Sequence, residues 1–167
     1  MRIALVSDTH GQIQAVQQAL ATGDAIDLLL HAGDHYADGL KLGQNLRVNV
    51  KAVTGNCDLM VAGPEEEIFR ARDRRILVTH GHQFRVKRTY HPLVRRAVEL
   101  AVDVVVFGHT HLPTIFEEQG ILFINPGSPT RSTAADRRRT FAILTLKPAP
   151  RAVIIPLEPQ PRGEKPD

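Results

Sequence analysis

Two kinds of apolar pattern alternate along the chain. Short runs rich in branched apolar residues predict strands: buried ones over the run from Arg2 that ends at Asp8, over Ile26 to His31 and over Val102 to Phe107, and a further one over Val48 to Val53. Apolar residues at helical spacing predict amphipathic helices. Ile13, Val16, Ala19 and Leu20 give one over Gln12 to Ala21, ending near Gly23. Leu93, Val94, Ala97, Val98, Leu100 and Ala101 give another over Leu93 to Ala101. A short helix is expected over Tyr36 to Gly43. Glu65 to Arg70 and Arg74 to Thr79 predict a strand pair, Thr114 to Glu117 and Ile121 to Ile124 a hairpin around Gln119-Gly120, and Thr140 to Leu146 with Ala152 to Leu157 a last pair. The early half alternates strand and helix, which favours parallel pairing. The late half is strands and tight turns, which favours antiparallel pairing. An α/β fold of two mixed β-sheets packed as a sandwich, with helices outside, satisfies both. One domain is expected over 1–157, followed by a disordered tail from Glu158, rich in Pro and charge.

Composition narrows the class without choosing a function. The 167 residues suit one domain with a real core. Apolar residues make up 43% and charged residues 23%, ordinary for a globular protein. A net charge of +3, with only the short cluster Arg137-Arg138-Arg139, predicts no nucleic-acid stripe; that cluster reads as a solvated loop. The single cysteine, Cys57, excludes an intrachain disulfide. No apolar stretch has membrane-spanning length, and no leader precedes the first strand. The cytoplasm is the expected compartment, and no membrane partner is expected.

The chemistry lies where the strands stop. Each buried strand ends in a polar loop carrying metal-ligand side chains: Asp8 and His10, Asp34, Asn56, His80, then His109 and His111. Glycine sits beside each turn, at Gly11, Gly33, Gly55, Gly81 and Gly108, where it permits positive φ or close backbone approach. Strand ends are well held, and the C-terminal ends of strands are the usual site location in α/β folds. Asp8 and His10 are two apart, so along an extended backbone they point the same way. Two carboxylates, one amide and four imidazoles exceed what one ion needs, and suggest two metals with one carboxylate shared.

The set Asp8-x-His10, Gly33-Asp34, Gly55-Asn56, His80-Gly81 and Gly108-His109-x-His111 resembles the calcineurin-like metallophosphoesterase superfamily, in that family's order and over nearly the whole chain. The small size, Gly55-Asn56-Cys57-Asp58 and Asn125-Pro126-Gly127-Ser128 look like its short bacterial and archaeal phosphodiesterase branch. A eukaryotic relative of that branch, the retromer scaffold subunit, keeps the fold without the activity. The resemblance implies a four-layer αββα domain and a metal-dependent phosphodiesterase acting on a small phosphodiester. It implies that Asp8, His10 and His111 hold one divalent ion, that Asn56, His80 and His109 hold the second, and that Asp34 bridges them. A hydroxide between the ions would be the nucleophile, with Asp34, Asn56 and His80 acting catalytically through them. Manganese is the expected ion, with iron, nickel, zinc and magnesium as alternatives. A phosphomonoesterase is the runner-up, and a protein-binding scaffold or a metal sensor are readings of other classes. A scaffold has no need to keep all seven ligands, which favours the enzyme.

The pattern departs from the family at Cys57, where many members carry a histidine that protonates the leaving group or holds the phosphate. A neutral thiol is a poorer acid. Cys57 is either a substrate contact or a small packing residue. His31 and His82 read as supports beside the ligands, and His91 as surface. His35 either hydrogen-bonds a ligand carboxylate or faces water. Asn125 to Ser128 reads as a structural turn, and Arg131 as a solvated side chain.

Overall fold

Alternating side-chain direction along each strand sorts the chain into layers. The structure, a computed structural model, describes residues 1–130 and 138–157. The described elements are β1 (Arg2–Val6), α1 (Gln14–Thr22), β2 (Leu28–His31), α2 (Tyr36–Leu46), β3 (Val50–Ala52), β4 (Glu66–Ala71), β5 (Arg74–Thr79), α3 (His91–Glu99), β6 (Val104–Val106), β7 (Thr114–Glu118), β8 (Ile121–Asn125), β9 (Thr140–Thr145) and β10 (Arg151–Pro156). A single 3-10 turn, His82–Phe84, follows β5. One sheet runs β10-β9-β1-β2-β3 and the other β4-β5-β6-β8-β7. Three strands in each are mutually parallel, β1 to β3 in the first and β5, β6 and β8 in the second. Antiparallel strands complete both sheets.

The period of two explains why the strand runs are apolar throughout. Ile3 and Leu5 of β1 and Leu28 and Leu30 of β2 point between the sheets, against Ile76, Val78, Val104, Val106 and Ile124. Their neighbours Ala4, Val6 and Leu29 point outward onto Val16 and Leu20 of α1 and Leu42 of α2. Leu77, Val105 and Phe123 of the second sheet point outward onto Leu93, Val94 and Ala97 of α3. Both sheets are thus covered on two faces, as the sequence predicts: a sandwich with helices outside.

The differences from expectation lie in boundaries. Helix α2 runs on to Leu46 rather than stopping at Gly43. Gly43 is inside the helix because a side chain there would overlap Val50 of β3; it marks a helix–sheet contact, not a stop. Helix α3 starts at His91, with Pro92 in its first turn, and ends before Ala101, whose φ is 48°. Strands β2, β3 and β6 are shorter than their apolar runs, whose outer residues enter the turns. Arg131, Arg137 and the segment from Glu158 on lie outside the described residues; Arg138 is exposed and Arg139 half-buried. Among the described residues no helix is long and apolar enough to cross a membrane.

Leu30, fully buried between the sheets, and Val98, on the outer surface of α3 and half exposed, give a paired test. Leu30→Ala should cost about 2–5 kcal/mol, as large-to-small changes in cores do. Val98→Ala should stay within about 0.5 kcal/mol. Urea unfolding of both, with the slope checked for constancy, measures the difference; equal costs would place Leu30 outside the core.

Candidate metal centre

All six parallel strands finish at one end of the sandwich, and their C-terminal loops converge there. Asp8 follows β1, Asp34 follows β2, Asn56 follows β3, His80 follows β5, and His109 and His111 follow β6. Ligand-type atoms of Asp8, His10, Asp34 and His111 lie within 4.8 Å of one another. His111 Nε2 is 3.2 Å from Asp8 Oδ1 and 3.4 Å from His10 Nε2, and His10 Nε2 is 3.8 Å from Asp34 Oδ2. A second group adjoins it. His80 Nε2 lies 3.1 Å from Asn56 Oδ1, 3.2 Å from His109 Nδ1 and 3.4 Å from Asp34 Oδ1. Asp34 therefore turns one oxygen to each group. All seven predicted ligand residues are brought together.

The donor set fits divalent cations. His80 Nδ1 is 3.0 Å from the Ala32 carbonyl oxygen; a carbonyl only accepts, so Nδ1 donates there, and the neutral ring presents its Nε2 lone pair to the cluster. That lone pair faces other acceptors, the oxygens of Asn56 and Asp34. Converging acceptors repel one another, and a shared cation is the group that turns the repulsion into binding.

The loops reach this arrangement through close approach and left-handed backbone. A Cβ at Gly108 would overlap Ser7 Oγ, and one at Gly55 would overlap the Asp34 carboxylate. Asp8, His10, Asp34, His35, His109 and His111 all have φ between 43° and 70°. Asp8 and His10 therefore converge through a turn, not through the alternation of an extended strand. The sequence argument placed them together for the wrong reason: the strand has already ended at Val6. Such conformations cost non-glycine residues energy and gather at functional sites.

Neighbouring side chains fix the set. Ser7 Oγ donates to Asp8 Oδ2 at 2.6 Å, and the His109 amide donates to both Asp8 oxygens at 3.2 and 3.0 Å. The Cys57 amide donates to Asp34 Oδ1 at 2.9 Å. Asp58 accepts from the amides of Tyr36 and Gly55, at 2.8 Å each. Asn125 Nδ2 donates to the Gly108 carbonyl at 2.8 Å, and Ser128 Oγ to the Asp8 carbonyl at 2.7 Å, so the Asn125 to Ser128 block is a structural brace. Sequence reading missed Ser7 and Asp58; nothing marks them before the loops are folded, apart from their place beside a ligand block. His31 is buried, with Nε2 3.1 Å from Thr9 Oγ1. His82 sits beside the cluster, 5.2 Å from His80 ring to ring, and exposed His35 lies 5.2 Å from His10. His91 is exposed.

Burial and neighbouring charge lower three of the imidazoles around the site, His10, His82 and His109. Burial lowers His10, and burial with the charge of His80 lowers His82. Burial, then His80 and Lys87, push His109 down to about 4. Burial opposes the charge of Asp8, but hydrogen bonding from His111, the nearness of His80 and the Ser7 hydroxyl outweigh it and hold the carboxyl below its usual range. Cys57 is exposed overall, yet partial desolvation of its thiol and then the Asp34 carboxylate push it up to about 11. Neutral imidazole and ionised carboxylate are the forms that bind metals.

Comparison with known proteins shows the family and the fold. The profile of the calcineurin-like phosphoesterase superfamily domain matches residues 1–149. A probable metallophosphoesterase of Bacillus subtilis, YsnB, is 36% identical over 148 residues, covering 88% of this chain and 85% of its own. The phosphodiesterase MJ0936 of Methanocaldococcus jannaschii is 28% identical over 145 residues, covering 76% and 83%. Vps29 of Entamoeba histolytica, crystallised with zinc, superposes with a TM-score of 0.73 at 23% identity, covering 93% of this chain and 99% of that one; this likeness shows the fold.

His31 should dominate one part of the acid response. Burial lowers its pKa from 6.5 to about 4, against the pull of nearby carboxylates. As pH falls below about 6.5 the unfolded chain takes up a proton that the folded chain refuses, so stability drops until about pH 4. Linkage sets the full loss at about 3 kcal/mol. His31→Gln should lose about 2–3 kcal/mol less than the parent between pH 7 and pH 4.5 in urea unfolding. An equal loss in both would show that His31 is protonated in the folded chain.

Proposed function

The chain belongs to the calcineurin-like phosphoesterase superfamily and is a metal-dependent phosphoesterase; on that premise we propose that it hydrolyses small phosphodiesters at a pair of divalent cations. The single observation that carries the pairing is Asp34, whose two oxygens face different groups: Oδ2 faces His10 and Oδ1 faces His80. Asp8, His10 and His111 would hold one cation, Asn56, His80 and His109 the other, with Asp34 serving both. Manganese is the ion to supply first, as the family resemblance implies; the mixed oxygen and imidazole set suits iron, nickel and zinc as well. When bound, such a pair supplies Lewis acidity towards the phosphate oxygens and a hydroxide nucleophile at neutral pH.

The rest is the work of the chain itself. Gly108 and Gly55 leave room for the loops to close on Asp8 and Asp34. The Cys57 and His109 amides aim the two carboxylates. The Ala32 carbonyl selects the His80 tautomer that presents Nε2. The Cys57 thiol, held at about 11, stays protonated at neutral pH; it is neither a thiolate nucleophile nor a strong acid. Its exposure beside Asn56 supports reading it as a substrate contact. Without a strong acid there, diesters with good leaving groups are the easiest substrates.

Two measurements test the reading. The metal-loaded protein should bind two equivalents and hydrolyse bis(p-nitrophenyl) phosphate. Asp34→Asn should lower the metal content and cut turnover at least 100-fold, because the amide lacks the charge and the second anionic oxygen. Full activity in that variant, or one equivalent at saturation, removes the shared carboxylate from the mechanism.

Position 57 gives a separate test. Cys57→His adds an imidazole able to protonate a departing alkoxide. Metal content should hold while turnover of alkyl-ester diesters rises, with little change for nitrophenyl esters. The gain should fade above about pH 6.5. Parallel changes for both leaving-group types would place residue 57 away from the leaving group.

A further inference from the structure

A cavity of about 460 Å³ opens beside the metal centre, lined by His82, Arg85, Lys87, Arg88 and His109. One wall is therefore shared with a proposed ligand, His109, and the other carries three cations within four residues. The segment that holds them is fixed from inside. Val86 is buried, 3% exposed, and its side chain packs against Gly81. The Gly81 carbonyl receives the amides of Phe84 and Val86, and the Arg85 carbonyl receives those of Arg88 and Thr89. With Val86 turned in, its neighbours Arg85 and Lys87 are exposed, as is Arg88. Lys87 lies close enough for its charge to act on the His109 ring.

Among the described residues no carboxylate lies within 4 Å of any of these three cations. Glu118 lines a neighbouring cavity of about 390 Å³ together with Lys87 and Arg88, yet pairs with neither. The contrast within the same fold is plain. Arg96 is paired to Glu66 at 2.7 Å, Arg74 to Asp103 at 3.3 Å and Lys51 to Glu67 at 3.1 Å. A volume near 460 Å³ is in the range of small-molecule sites, and three clustered charges are far short of the extended footprint that neutralises many phosphates of a nucleic acid.

We propose that this basic wall selects small phosphodiesters carrying a second phosphoryl group on the arm that lies over Arg85, Lys87 and Arg88. The inference rests on the phosphodiesterase reading and narrows its substrate. Guanidinium groups take a phosphate through two parallel hydrogen bonds and lysine as a point charge. The scissile phosphate sits at the metal centre, and the second phosphate meets the wall across the shared cavity. The field of the wall also raises the local concentration of multiply charged anions over singly charged ones.

The experiment uses the metal-loaded protein and two probes that differ by one phosphate. Calorimetric titration with thymidine 5′-monophosphate and with thymidine 3′,5′-bisphosphate should show the bisphosphate binding at least tenfold more tightly. In Arg85→Ala/Lys87→Ala/Arg88→Ala that ratio should fall to about one. In Arg70→Ala/Arg72→Ala/Arg95→Ala, which removes the same charge from exposed positions elsewhere, the ratio should survive. Kinetics with the 5′-(4-nitrophenyl) esters of the same two nucleotides should show the same preference in kcat/KM. No preference in the parent, an unchanged ratio in the first variant, or an equal loss in the second would overturn the proposal. A preference in binding with no ester turned over would sink the phosphodiesterase reading and leave the anion wall standing. Turnover of both esters at equal rates would do the reverse.

Discussion

The His109 amide donates to both oxygens of Asp8, and this contact exists because residue 108 has no side chain to keep the loops apart. Asp8 lies just beyond a strand of one sheet and His109 just beyond a strand of the other, so the contact joins the two sheets at their reactive end. His80 does the same in the opposite sense, reaching from the second sheet to the Ala32 carbonyl of the first. The apolar sandwich sets the distance between the sheets. These polar cross-ties set their alignment where it matters. A few ångströms of slippage between two otherwise sound sheets would leave each half of the ligand set intact and the whole set useless.

Desolvation and charge then work together at that seam. Asp8, Asp34 and His80 are almost wholly buried. Burial pushes the Asp8 carboxyl up, yet imidazole and hydroxyl donors hold it below its usual range, while burial lowers the imidazoles of His10 and His109. The result is a preorganised pocket of lone pairs. Part of its cost is conformational, since six residues of the site hold left-handed backbone angles. The large two-faced core is what can carry such a cost.

Much of this was legible in the sequence. Strands buried on both faces are rich in branched apolar residues, so β1, β2 and β6 announced themselves, and the polar ends of these strands with those of β3 and β5 named all seven clustered residues. What the sequence hid was conformation. Gly43 read as a helix end, although it is a contact point for Val50. Asp8 and His10 read as neighbours on an extended strand, although both lie in a left-handed turn. Ser7 carries no pattern, and Asp58 stands out only as the end of the Gly55-Asn56-Cys57-Asp58 block; their value lies in hydrogen bonds that only the folded loops create. The cations at Arg85, Lys87 and Arg88 were equally silent, since a short charged stretch between a strand and a helix looks like any solvated loop.

Residue 57 anchors Asp34 through its main-chain N–H, and the residue as a whole is exposed, its thiol beside the Asn56 amide and the Asp34 carboxylate. The anchoring duty belongs to a group that every amino acid except proline possesses. The side chain is left without a structural obligation. An evolving lineage can therefore exchange it, and with it the reactivity offered to a substrate, in one step and without first dismantling the carboxylate it supports. Divergence of specificity on this framework needs no intermediate that has lost its fold.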